Sequence, residues 1–373
     1  MHEFLRSSTS LSQLVSTAKS LVFAVTWAAP AIGLAVAPAF AQEAEAPVEI
    51  RVVLDEADAV IAILEKRSLE LELSDVDWQR LEESEGYVRL RRRQESFGAD
   101  NFDERFHDYL SSDGPLERLD ALREALVKWR SIDAGHAGAR AYAYLPPGSR
   151  IRTTIYPVIK QTKNSFVFEL DTDPAIFMYV DPERSRIQLG NTLAHELHHV
   201  GAATCPEPDG VGSLSPEAQQ VVSWLSAFGE GMAMLAAAGG PEVHPHAGRS
   251  PEEWAIWERD VGEFSTDLPR IEMFFRGVLA GEASVEEQRA ELFSFISTDE
   301  IPQGGFYTVG WKMAALVERV MGREVVVRAV CDPRILLEAY NEVAAAYPRS
   351  DVEPLPLWGE DFLAAIVSDA EWP

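Results

Sequence analysis

Cysteine is almost absent from this chain: its 373 residues carry two, Cys205 and Cys331. That excludes a miniature scaffold built on disulfides. Basic residues are scarce too, 33 Lys and Arg against 60 Asp and Glu, for a formal net charge of −27. Such a surface repels phosphate backbones and anionic lipid, which argues against nucleic acid as a partner and against peripheral membrane binding. The one dense basic run, Arg89 with Arg91, Arg92 and Arg93, sits beside Glu82, Glu83, Glu85 and Glu95 and reads as a solvated helix face. Neither an internal repeat nor a low-complexity segment follows the amino-terminal leader. What remains is an ordinary folded soluble protein, 46% hydrophobic and 25% charged, long enough for one large domain or two.

From Ser20 to Gln42 there is no charge. The stretch follows Arg6 and Lys19 and ends in Ala39-Phe40-Ala41 ahead of an acidic run. This is the layout of a secretory signal peptide removed after Ala41, which predicts a secreted or periplasmic mature chain with no membrane association. A retained anchor is the alternative, since the segment is long enough to cross a bilayer, but Pro30, Pro38 and the small-residue cleavage pattern favour removal. No cysteine follows the apolar run, which argues against a lipid anchor. An oxidising compartment lets Cys205 and Cys331 pair, with two separate buried thiols as the alternative.

Residues 42–145 read as a helical amino-terminal region, with Val53, Ala57, Ile61 and Leu64 at helical spacing and a second amphipathic run from Leu116 to Trp129. Pro146-Pro147-Gly148 breaks the pattern. Strands are predicted at Thr153 to Ile159, Ser165 to Leu170 and Ala175 to Val180, the last two joined by the turn Asp171-Thr172-Asp173-Pro174. Beyond Asp181 the pattern is helical again. The fold class is α+β, predominantly helical, with a second region spanning 146–373.

One segment carries chemistry: His195-Glu196-Leu197-His198-His199. On a helix, residues four apart lie on one face a turn apart, so His195 and His199 present two imidazoles to one Zn²⁺, and Glu196 beside them is placed to take a proton from water. Asp181 with Pro182 can start that helix and Gly201 can close it. His198 is rotated off this face; it either orients a ligand or contacts substrate, or hydrogen-bonds within the core.

A catalytic zinc usually keeps three protein ligands. The extended pattern with a third histidine fails, because Ala202 and Cys205 stand where Gly and His are needed; Cys205 is a lesser candidate. Glu230 is the better one. It is the only charged residue between Ala218 and Pro241, in an apolar helix that Ser215 and Pro216 can start, and a buried carboxylate there needs a partner such as a dication. Gly229 and Gly231 on either side suggest a close approach by another backbone or a ligand.

With these residues in hand, the chain resembles the gluzincin clan of zinc metallopeptidases. Ala238-Gly239-Gly240-Pro241-Glu242-Val243-His244-Pro245-His246 and the segment from Phe306 to Ala314 are similar to an uncharacterised bacterial family of putative zinc-dependent peptidases. The resemblance implies a zincin-like metallopeptidase domain whose small sheet lies next to the His-Glu-x-x-His helix. It implies Zn²⁺ held by His195, His199 and Glu230, Glu196 as general base, a peptide or protein substrate, and Tyr307 as oxyanion donor, although Tyr307 also reads as a core tyrosine. One of the three strands would offer an open edge to an extended substrate. His244 and His246 read as a surface loop. The acidic residue often found four positions after the third ligand is Met234 here. A hydrolase of another amide or ester, or a zinc-stabilised envelope protein without turnover, are the competing readings.

Overall fold

A strand opens the described chain where helices are expected. The computed structural model describes residues 46–98, 101–282, 284–298, 301–346 and 354–367, so the signal-peptide expectation for residues 1–41 lies outside the described residues. Strand β1 (Val48–Val52) reads VEIRV, and its burial alternates residue by residue, as for a strand covered on one face. Its partner is remote in sequence: β1 pairs in parallel with β2 (Ile151–Val158), Val48 opposite Ile151. Between them run the expected helices, α1 (Asp55–Ser68), α2 (Asp75–Glu82), α3 (Glu85–Ser96), α4 (Phe102–Ser111), α5 (Asp113–Glu117), α6 (Leu119–Arg130) and α7 (Ala134–Tyr142).

Strands β3 (Phe166–Phe168) and β4 (Ala175–Tyr179) fall within the predicted runs. The sheet order is β1-β2-β4-β3, with β2 and β4 parallel and β3 and β4 antiparallel. β4 is thus paired on both sides and buried throughout, as for a strand covered on both faces. Of the three predicted strands, only β3 lies at an edge.

The arginine run is not the solvated face expected. Arg89 and Arg93 are buried, 8% and 5% exposed, and Arg92 faces solvent. Arg89 donates to Glu169 at 2.7 Å and to the Asp173 carbonyl at 2.5 Å, Arg92 pairs with the same Glu169, and the Arg93 guanidinium lies 3.6 Å from the Phe166 ring centroid. The run therefore clamps α3 onto β3 and the turn before β4, where a remote carboxylate and an aromatic face compensate its burial.

After β4 the chain is helical: α8 (Arg186–Ala202), α9 (Pro216–Leu225), α10 (Gly229–Ala238), α11 (Pro251–Gly262), α12 (Phe264–Leu279), α13 (Val285–Ser294), α14 (Gly305–Met321), α15 (Arg323–Cys331), α16 (Pro333–Ala345) and α17 (Glu360–Val367). One core joins α1 (Val60, Ile63, Leu64), the sheet, and the apolar face of α8 (Leu189, Leu193, Leu197, Val200). A second gathers α9, α10 and α12 to α17 around Phe228, Phe275, Phe306 and Trp358. The stretch Pro216–Ala238 is long and apolar enough to cross a bilayer, but 83% of its apolar window is buried in the protein. α10 packs against both α8 and α14, and these three helices build the site.

Cys205 and Cys331 form a disulfide, Cα to Cα 5.2 Å, which ties the exit of α8 to the end of α15 across 126 residues. Closing so long a loop removes much of the unfolded chain's freedom. The double variant Cys205→Ser, Cys331→Ser is expected to lose about 4 kcal/mol of unfolding free energy in urea titration; an unchanged midpoint would contradict it.

Candidate metal centre

Helix α8 begins later than its Asp-Pro signal suggests. Asp181 instead accepts from the Glu183 amide at 3.1 Å, a turn ahead of the helix. The cap is Ser185, whose hydroxyl accepts from the Gln188 amide while the Gln188 side chain accepts from the Ser185 amide at 2.7 Å. This reciprocal capping box satisfies two otherwise orphaned amides, more than a lone Asp ahead of Pro provides. Gly201 does not end the helix, which runs on to Ala202. A Cβ at 201 would meet Leu145 at 2.1 Å, so glycine there lets the last turn lie against the segment entering β2.

Leu189, Leu193, Leu197 and Val200 drive one side of α8 into the core, which turns His195 and His199 toward α10. Glu230 stands in the first turn of α10, after a 3₁₀ segment, Ser226–Phe228, that separates it from α9. Of the two flanking glycines, Gly231 makes the close approach: a Cβ there would sit 2.1 Å from the Trp311 amide nitrogen. Helices α10 and α14 thus cross backbone to backbone, which brings Tyr307, a turn before Trp311, beside Glu230. No such contact surrounds Gly229.

Three donor atoms converge. His195 Nε2 lies 3.1 Å from Glu230 Oε2 and 3.1 Å from His199 Nε2, and His199 Nε2 lies 3.2 Å from the same oxygen. Their side chains are 12%, 24% and 13% exposed for His195, His199 and Glu230. Donors at tetrahedral corners about 2.0–2.1 Å from a zinc ion are about 3.3 Å apart. The triangle therefore matches one face of a zinc tetrahedron and leaves its fourth corner without a His, Cys, Asp or Glu donor among the described residues. Among the described residues it is the one His, Cys, Asp and Glu grouping compact enough to hold an ion. Cys205 is excluded as a ligand, because its sulfur is in the disulfide.

Burial works to raise the Glu230 carboxyl, but the two imidazoles outweigh it and hold it well below the usual range. Burial likewise opposes a charged His199, yet Glu230, with help from Glu196, raises that imidazole to about 9. A proton thus balances the carboxylate when no cation is bound, and a metal has to displace it. Glu196 is raised by burial, partly offset by His195 and His199. The Tyr307 ring lies parallel to that of His195, centroids 6.1 Å apart. Burial first, and then neighbouring Glu230 and Glu196, hold its phenol well above the usual value, so it stays a hydrogen-bond donor.

His198 takes the core alternative, though without the hydrogen bond expected there, while His244 and His246 differ from expectation. His198 is 1% exposed, so it offers nothing to a substrate. Nor does either of its ring nitrogens complete a hydrogen bond among the described residues; burial lowers the imidazole to about 3, partly offset by the nearby Tyr144 backbone. His244 and His246 are packed, not loose: His244 stacks on Trp254 at 3.8 Å, and His246, 4% exposed, contacts Gln303 at 2.6 Å. Gln303 in turn donates to the sulfur of Met234 at 3.6 Å, where the clan often carries an acid. Nδ1 of His195 is buried without a partner among the described residues.

One neighbour of the site escapes sequence reasoning. Arg184, just before the α8 cap, donates to Thr192 Oγ1 at 3.2 Å, which places its guanidinium beside α8 a turn before Glu196. Nothing local in the sequence distinguishes it from other surface arginines.

A family model described as "Putative zinc dependent peptidase (DUF5700)" matches residues 79–347. No curated protein matches the chain, and no solved structure does.

Proposed function

The chain belongs to this family of putative zinc-dependent peptidases, and from that premise we propose a zinc peptidase with a zincin-like domain of the gluzincin kind. The observation that carries the reading is the triangle of His195, His199 and Glu230 donors at 3.1 to 3.2 Å, with Glu196 next to the first of them on the same helix. Zinc bound there would acidify a water and polarise a substrate carbonyl. Glu196 would take the proton from the attacking water and deliver it to the departing amine. Its raised pKa, a consequence of burial first, suits both halves of that shuttle. The Tyr307 hydroxyl, held protonated beside Glu230, would donate to the carbonyl oxygen as negative charge builds on it.

The substrate is a peptide or protein met outside the cytoplasm, after removal of residues 1–41. The Cys205–Cys331 disulfide supports an exported setting, since such bridges persist in oxidising compartments. Incubating the mature, zinc-loaded protein with a broad peptide library tests the reading. Cleavage should appear, stop on chelation and return with zinc. A stoichiometric zinc protein that cleaves no peptide would refute it.

A further inference from the structure

Arg184 is held in a way that structural duty alone does not account for. Its side chain is 27% exposed, and its ion partner Asp181 stays 3.6 Å from Nε, beyond hydrogen-bonding distance. One Asp181 oxygen is already engaged by the Glu183 amide. Nη1 donates to Thr192, and Nη2 has no hydrogen-bond partner among the described residues. Four residues of helix, about 6 Å of rise, separate Thr192 from Glu196 on one face of α8. A second arginine, Arg249, stands close by and pairs with Glu253 at 2.8 Å, while Asp181, Glu196 and Glu253 act on Arg184 through their charge without a hydrogen bond to its side chain among the described residues. The guanidinium of Arg184 therefore keeps one nitrogen without a hydrogen-bond partner among the described residues, close enough to Glu196 for the two charges to act on each other.

Resting on the peptidase reading above, we propose that Arg184 binds a carboxylate of the substrate, one or two residues beyond the scissile bond on the leaving-group side. A planar fork with an open edge matches a carboxylate, and the carboxylate that every peptide carries is its carboxy terminus. The favoured substrates are thus peptides whose free carboxy terminus falls within two residues of the cut. An acidic side chain at the same place offers the same chemistry.

The test uses the zinc-loaded mature protein carrying Glu196→Gln, so that peptides bind uncleaved. Calorimetry compares one peptide as free acid, as amide, and as amide with Asp at the terminal position. The free acid should bind about 10- to 100-fold more tightly than the amide, the range for a hydrogen bond to a charged group. Adding Arg184→Met should bring that ratio close to one, and Arg184→Lys should restore part of it, with zinc content and thermal unfolding verifying each variant. Tight binding of the Asp amide that depends on Arg184 would assign the carboxylate to a side chain. Equal binding of acid and amide, or a preference that survives Arg184→Met, would overturn the proposal. Cleavage by the parent enzyme without any Arg184-dependent preference would sink this inference alone. Arg184-dependent carboxylate binding without cleavage would sink the peptidase reading alone.

Discussion

Glu230→Ala is expected to bind zinc at least about 100-fold more weakly than the parent chain, beyond the roughly 10- to 100-fold typical for losing a residue that merely orients a ligand. The argument is electrostatic as much as geometric. His195 and His199 bind as neutral imidazoles, so Glu230 supplies the negative charge within the triangle, and a dication in a site this enclosed is costly without it. Glu196 is no ready substitute, because it follows His195 directly on α8, rotated off the His195–His199 face. Competition against a chromophoric chelator at fixed pH measures the change. Cys205→Ser is the control: its sulfur is bound to Cys331, so zinc affinity should hold even as stability falls. Parent-like zinc affinity in Glu230→Ala would remove the carboxylate from the metal site.

How much of this was legible from sequence depends on how local each determinant is. His195 and His199 are visible because one turn of one helix sets their relation, and their spacing alone predicts a shared face. Glu230 stands out by a different signal, the cost of a lone charge in an apolar helix, and Gly231 by its expense in a helix; the reason for that expense, the Trp311 backbone 2.1 Å from a would-be Cβ, is tertiary. Determinants that depend on remote partners are not visible in the local sequence. β1 has only five residues, and its partner lies beyond seven helices. Arg89 looked solvated because its local acids were in view, whereas Glu169 and Phe166, which account for the burial of the run, were not. At the head of α8 two local signals competed, and the capping box at Ser185 prevailed over Asp181 and Pro182. Arg184 has no pattern of its own; only the fold of the chain into α8 sets it over Thr192.

Glu196→Gln is expected to lower kcat on any cleaved peptide by about 10²- to 10⁴-fold, the usual contribution of a positioned general base, while zinc binding stays near the parent value. The two halves of this expectation come from different features. Zinc is retained because no donor of the triangle is altered, and the amide has the shape of the carboxylate it replaces. Turnover is lost because an amide neither takes the proton from the attacking water nor returns one to the leaving amine. Steady-state kinetics on the best library peptide, run beside the metal titration, separates three cases that the fold alone leaves alike. A peptidase loses kcat and keeps metal; so does a hydrolase of another amide or ester, though only on its own substrate; a zinc-stabilised protein without turnover has no kcat to lose. Retention of more than a tenth of the parent kcat would mean that Glu196 is not the proton carrier. Since Glu196 lacks a hydrogen-bond partner among the described residues and is pushed upward chiefly by burial, its replacement should barely change unfolding free energy, so a large loss of rate would not be attributable to misfolding.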